Sequence, residues 1–211
     1  MPRDDTENMK KANSILQGNS EKPEKLLALA ENLKKEKRFG LARKLLNRAL
    51  QHGEIEKDKN LKLKIGRQHA LCTYKDPDLP ISDRLDRALK ILNKADDLLK
   101  TKNQETLGLA GAIYKRIWEV DGQKQNLERS LSHYVRGYRQ GPVNDCGYTG
   151  INTAYVLDQL AELEGTQAKE AGAASEMAKE RRAQAKSIRE DLVSVLPGLA
   201  EQNKELGGQY W

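Results

Sequence analysis

The chain has 211 residues, of which 32% are charged, 37% hydrophobic and 5% aromatic; this is enough length to bury a core, with a composition suited to amphipathic helices in thin layers. No apolar run approaches the roughly 20 residues of a membrane span and no charged-then-apolar leader opens the chain, so neither a span nor a secretory signal is expected, and a cytoplasmic location is. The net charge of +6 arises from 37 basic and 31 acidic residues that are well mixed, whereas a nucleic-acid binder concentrates its cations in a stripe, so nucleic acid is disfavoured as a partner. Cys72 and Cys146 lie far apart and make neither a disulfide framework nor a four-ligand zinc site; buried, reduced thiols are expected.

Residues 1–21 are polar and aperiodic and read as a flexible leader. Pro23 suits a first helical turn, and Leu26, Leu29, Ala30 and Leu33 follow on one face. After a turn at Arg38–Gly40, Phe39, Ala42, Leu46 and Ala49 mark a second apolar face. The basic stretch Lys34-Lys35-Glu36-Lys37-Arg38 closes the first of these helices, where cations complement the helix dipole. Those eight positions resemble the signature of a tetratricopeptide repeat, with Leu26 in place of the usual tryptophan and no terminal proline. Small residues at Ala30, Ala42 and Ala49 let the two helices approach where the large ones interlock.

The spacing recurs, as it must, because one such pair cannot bury its face alone. Lys57–Tyr74 reads as a helix of ambiguous register, carrying Leu61, Leu63, Ile65, Ala70, Leu71 and Cys72, and Asp76-Pro77-Asp78-Leu79-Pro80 breaks it. Leu85, Ala88, Leu92 and Ala95 then repeat the second-helix spacing. In Glu105–Trp118, Gly108, Ala110, Gly111 and Ala112 alternate with Leu107, Leu109, Ile113 and Tyr114. Two helical glycines cost about 1 kcal/mol each against alanine, which a close helix neighbour offsets. Leu127, Ser130, Tyr134 and Gly137 complete that third pair. Tyr148, Ile151, Asn152 and Tyr155 open a fourth, Gly165-Thr166 interrupts it, and Lys169–Leu196 forms a long helix stopped by Pro197. The expected fold is all-α, a tetratricopeptide-like superhelical stack of about four antiparallel pairs over 22–206, with 207–211 opening a truncated further helix.

Three stretches, GLAGAIYKRIW at Gly108–Trp118, SLSHYVRGY at Ser130–Tyr138 and GYTGINTAYVL at Gly147–Leu157, resemble the helical-repeat region of the TRAFs-binding domain family. That region occurs in apoptosis signal-regulating MAP kinase kinase kinases and in bacterial multidomain proteins, and the bacterial version is the nearer. The resemblance implies a regulatory region that sits beside an effector domain and mediates protein contacts. Kinase motifs are absent from the sequence, so kinase chemistry does not carry over.

No catalytic constellation emerges. His69 and Cys72 can share a helical face, but an apolar helix does not activate a thiol, and adjacent carboxylates such as Asp96-Asp97 point apart on a helix. No metal set and no cofactor is expected. The repeat register instead sends Thr153, Val156 and Leu157 of the fourth pair to the inner face of the first helices and leaves Tyr155 in core or groove. To the same face it sends Lys34 and Lys35 of the first pair and Lys115 and Arg116 of the third, with Asn152 of the fourth in core or groove. These residues form a candidate peptide groove able to attract an acidic segment or a terminal carboxylate. A non-catalytic scaffold that binds a protein or peptide and controls an effector outside the segment is the reading that follows. The alternative is an oligomerising or nucleic-acid-sensing module that uses its basic surface.

Overall fold

A helix-start proline and a run of side-chain caps divide the chain into short rods. The computed structural model describes residues 6–202, and these form α1 (Glu7–Leu16), α2 (Pro23–Lys35), α3 (Phe39–Leu50), α4 (Lys59–Lys75), α5 (Ile81–Ala95), α6 (Gln104–Asp121), α7 (Lys124–Tyr138), α8 (Tyr148–Glu170) and α9 (Glu176–Gln202), with a short 3-10 turn at Ile55–Lys57 and no strand among them. Asp58 and Asn103 cap α4 and α6 by accepting from the amides of Leu61 and Thr106, both at 2.9 Å. Gly122, at φ +69, ends α6 in the left-handed conformation that glycine adopts without strain. Asp145 starts α8 by accepting from the amide of Thr149 at 2.8 Å.

The helices fall into two units, Met1–Leu99 and Lys100–Trp211. In the first, α2 packs on α3, α3 on α4 and α4 on α5; in the second, α6, α7, α8 and α9 follow the same order. Each unit therefore stacks two helix pairs of the tetratricopeptide type. Leu26, Leu29, Ala30, Leu33, Ala42, Leu46 and Ala49 are buried as their spacing requires. In the second unit Ser130 donates to the carbonyl of Gly111 at 2.8 Å, and a Cβ on Gly111 would lie 2.8 Å from the buried Tyr134 ring. The small residues of α6 thus admit the neighbouring helix to bare backbone.

Three expectations need correction. The polar leader contains α1, whose Ala12 and Ile15 are buried in the first unit's core, with Met9 and Leu16 packed beside them. Thr6 and Asn8 at its start donate to Glu36 beyond the end of α2, at 2.8 and 2.6 Å, and these bonds hold that carboxyl below its usual range. Gly165 does not interrupt α8, since the turn comes later, where Gly172 takes φ +70. Pro197 likewise lies inside α9. The stretch 207–211, read as the start of a further helix, lies outside the described residues.

Burial also settles the registers that spacing left open or misassigned. In α4 the buried face is Ile65, Gly66, His69, Ala70, Cys72 and Thr73, continued by Asp76. In α8 it is Thr149, Gly150, Thr153, Ala154, Val156, Leu157 and Leu160, the same pattern residue for residue. The fourth pair's signature positions are therefore Thr153, Val156, Leu157 and Leu160. Tyr148, Ile151 and Tyr155, which have the same spacing, face outward, 41%, 43% and 43% exposed. The two glycines occupy matching places against the second helix of each pair, and Gly150 also lies against Tyr138 of α7. A Cβ on Gly66 would fall 2.5 Å from that of Ala95, and one on Gly150 would fall 2.9 Å from Tyr138 and 3.1 Å from Leu192.

Candidate functional site

The signature positions of α6 point into the core, so the residues between them are left on its outer first-helix face. Lys115 is one of these. Its half-buried ammonium crosses to α8, donates to Asn152 Oδ1 at 3.0 Å and lies 4.9 Å from the centre of the Tyr155 ring and 6.0 Å from that of Tyr134. Asn152 is itself oriented, because its Nδ2 donates to the carbonyl of Tyr148 at 2.9 Å. The Tyr148 ring meets Tyr134 edge-on at 6.2 Å and covers Gly108, where a Cβ would lie 3.1 Å from Cε1. A side chain at Gly108 would push this ring away, which gives the glycine a role in shaping the face.

The electrostatics of the face are those of an underfilled cation site. Burial pushes the Lys115 pKa down, with Glu119 opposing. Among the described residues Lys115 forms no ion pair with a carboxylate; an amide oxygen and two π-faces hold it instead. A half-desolvated ammonium of this kind gains by meeting an anionic group, because a charge-assisted bond outside bulk water is stronger than the neutral one it supplements. Beside it, Tyr148, Ile151 and Tyr155 form an exposed apolar and aromatic stripe at helical spacing along α8.

The five groove residues read from the sequence are distributed between the units. Lys115 and Asn152 meet directly. Arg116 is exposed and pairs with Glu119 on its own helix. Lys34 belongs to the first unit, where it donates to Gln68 Oε1 at 2.8 Å, and Lys35 on the same helix is exposed. Thr153, Val156 and Leu157, which the misassigned register sends to the inner face, are buried. Spacing alone missed Gln68, and it left Tyr155 between core and groove; the signal for both is the burial register shared by α4 and α8.

The other reactive side chains are packing groups. Burial pushes the Cys72 thiol up to about 11, with Lys34 partly opposing, and burial followed by Arg43 pushes His69 down to about 4. A protonated thiol beside a neutral imidazole in an apolar helix is not an activated nucleophile. His133 stacks on Tyr114 at 5.4 Å, and burial followed by Arg136 holds it at about 4. Cys146 is partly exposed rather than buried. Among the described residues no cluster of His, Cys, Asp and Glu could hold a metal ion, and no helix is long and apolar enough to cross a membrane.

Comparison with curated proteins finds no match. The family model described as Tetratricopeptide Repeats-Sensor matches residues 38–160, which takes in α3 and the helices α4 to α7 and reaches into α8 as far as Leu160. A helical-repeat fold of this type is typically a non-catalytic protein-interaction scaffold. With more than half of its length matched, the chain belongs to the tetratricopeptide-repeat sensor family.

Proposed function

We propose that residues 22–206 act as a non-catalytic scaffold that binds a protein or peptide on a first-helix face and so regulates an effector outside this segment. The observation that carries the reading is the α6/α8 face of the second unit. Its half-buried Lys115 has no carboxylate at ion-pair distance among the described residues and adjoins the exposed stripe Tyr148, Ile151 and Tyr155. An extended segment fits that chemistry if it places apolar side chains on the stripe and a carboxylate on the ammonium. The family's description as a sensor and the likeness of Gly108–Trp118 and Gly147–Leu157 to a regulatory repeat region support the regulatory half of the reading. Against the nucleic-acid alternative stands the pairing of surface cations with carboxylates along the helices, as in Lys25–Glu21, Arg87–Asp83 and Lys90–Asp86, which leaves a mixed surface rather than a basic stripe.

Selection of phage-displayed peptides on the whole chain tests this. The expected ligands combine an acidic residue or free C-terminal carboxylate with apolar neighbours. Lys115→Gln or Ile151→Asp is expected to weaken the selected peptides about ten- to a hundredfold, the loss of one hydrogen bond to a charged group or of one apolar anchor. Selected peptides that bind both variants as tightly as the parent chain would remove this face from the site.

A further inference from the structure

Equivalent burial makes α2 the counterpart of α6 and α4 the counterpart of α8. Both units place one device at matching positions: a lysine on the earlier first helix donates to a side-chain amide on the later one. Lys34 reaches Gln68 Oε1 at 2.8 Å and Lys115 reaches Asn152 Oδ1 at 3.0 Å. What surrounds the device differs. The register that sets Gln68 against Asn152 sets Lys64 against Tyr148, Arg67 against Ile151 and Leu71 against Tyr155. The first unit is therefore cationic where the second is aromatic.

We propose that the α2/α4 face of the first unit is a separate binding site for an acidic peptide segment, with Lys34 and Lys64 as its cations. Lys34 forms no ion pair among the described residues. Lys64 meets Glu31 of α2 at 3.2 Å with both side chains well exposed, a contact weak enough in water for an incoming carboxylate to replace. Lys64 and Gln68 lie one turn apart and share a helix face, and Gln68 fixes the Lys34 ammonium beside Lys64. Glu31 selects among polyanions. It repels the charges fixed along an oligonucleotide backbone, whereas a glutamate peptide can turn one flexible side chain away from it while the neighbouring carboxylates reach the cations. The site rests on charge and register in the first unit and is independent of ligand binding at Lys115.

The test uses the whole chain, a fluorescein-labelled hexaglutamate peptide and a labelled oligothymidylate of equal charge, with anisotropy read at low and moderate salt. The hexaglutamate is expected to bind more tightly than the oligothymidylate and to weaken as salt rises. Lys34→Gln with Lys64→Gln is expected to cost the peptide about tenfold in affinity, and Lys179→Gln, an exposed lysine of α9 outside both faces, less than about twofold. Thermal melting of each variant reports folding, and Lys64→Gln alone serves if the double variant melts early, with a smaller loss of the same sign. Absence of hexaglutamate binding, an undiminished affinity in the Lys34 and Lys64 variants, an equal loss in Lys179→Gln, or preference for the oligothymidylate would each overturn the assignment.

Discussion

Asp76→Ala is expected to destabilise the first unit by about 3–5 kcal/mol, the range for breaking a buried ion pair from one side. Asp76 is 0% exposed at the end of α4, where the equivalent helices carry Leu33, Tyr114 and Leu160. Its Oδ2 accepts from Arg43 Nε of α3 at 2.8 Å and its Oδ1 from the amide of Asp78 at 3.1 Å. Its main-chain carbonyl accepts from Arg84 of α5 at 3.2 Å. The residue thereby ties three helices together and shapes the break before α5. Alanine leaves the Arg43 guanidinium beside the core with its carboxylate gone. Some water reaches Arg43, whose side chain is 23% exposed, so the lower part of the range is favoured. Urea unfolding followed by circular dichroism measures the loss. The double variant Arg43→Met with Asp76→Leu, which restores the apolar residue type of the other helix pairs, is expected to recover much of it.

Acid is the second strong lever. His69 and His133 are both held at about 4 in the fold, below the roughly 6.5 of an unfolded histidine. The folded chain therefore binds fewer protons than the unfolded one between those values, and stability falls as pH drops through that window. The stabilisation is intact above about 6.5 and fully spent below about 4. From pH 7 to pH 5 the expected loss is roughly 2 kcal/mol for each histidine, before carboxylates of ordinary pKa titrate appreciably. His69→Gln and His133→Gln are each expected to flatten the urea midpoint between those pH values, the first acting on the first unit and the second on the other. A midpoint independent of pH over the same interval would show that neither imidazole is held neutral by burial.

Much of the fold is legible from spacing because α2, α3, α6 and α7 carry large and small residues where a tetratricopeptide pair needs them. Leu26, Ala30, Ala42 and Leu46 are apolar and buried, and Leu107, Gly111, Ser130 and Tyr134 follow the same alternation. The α4 register was hidden because its signature positions carry His69, Cys72, Thr73 and Asp76, of which only the thiol is apolar. In α8 the difficulty was the opposite. Tyr148, Ile151, Asn152 and Tyr155 present the right interval with more conspicuous side chains than Thr153, Val156, Leu157 and Leu160, and period alone cannot choose between two rows on one helix. What separates them is that the exposed row adjoins Lys115.

The same ambiguity explains how much of the site was readable. Lys34 and Lys115 sit on well-marked helices, so their outward direction follows from the signature. Their acceptors Gln68 and Asn152 sit on the two helices whose register was obscured. Gly165 and Pro197 misled for a simpler reason: a break signal is a local preference, and packing along α8 and α9 overrides it.

The most direct measurement of the central claim is methyl NMR of the whole chain, isoleucine- and valine-labelled, titrated with a peptide from the display selection. The Ile151 δ-methyl on the α6/α8 face should shift in proportion to occupancy, while the methyls of Val193, 72% exposed on α9, stay in place. Movement of Val193 with Ile151 unchanged would contradict the account.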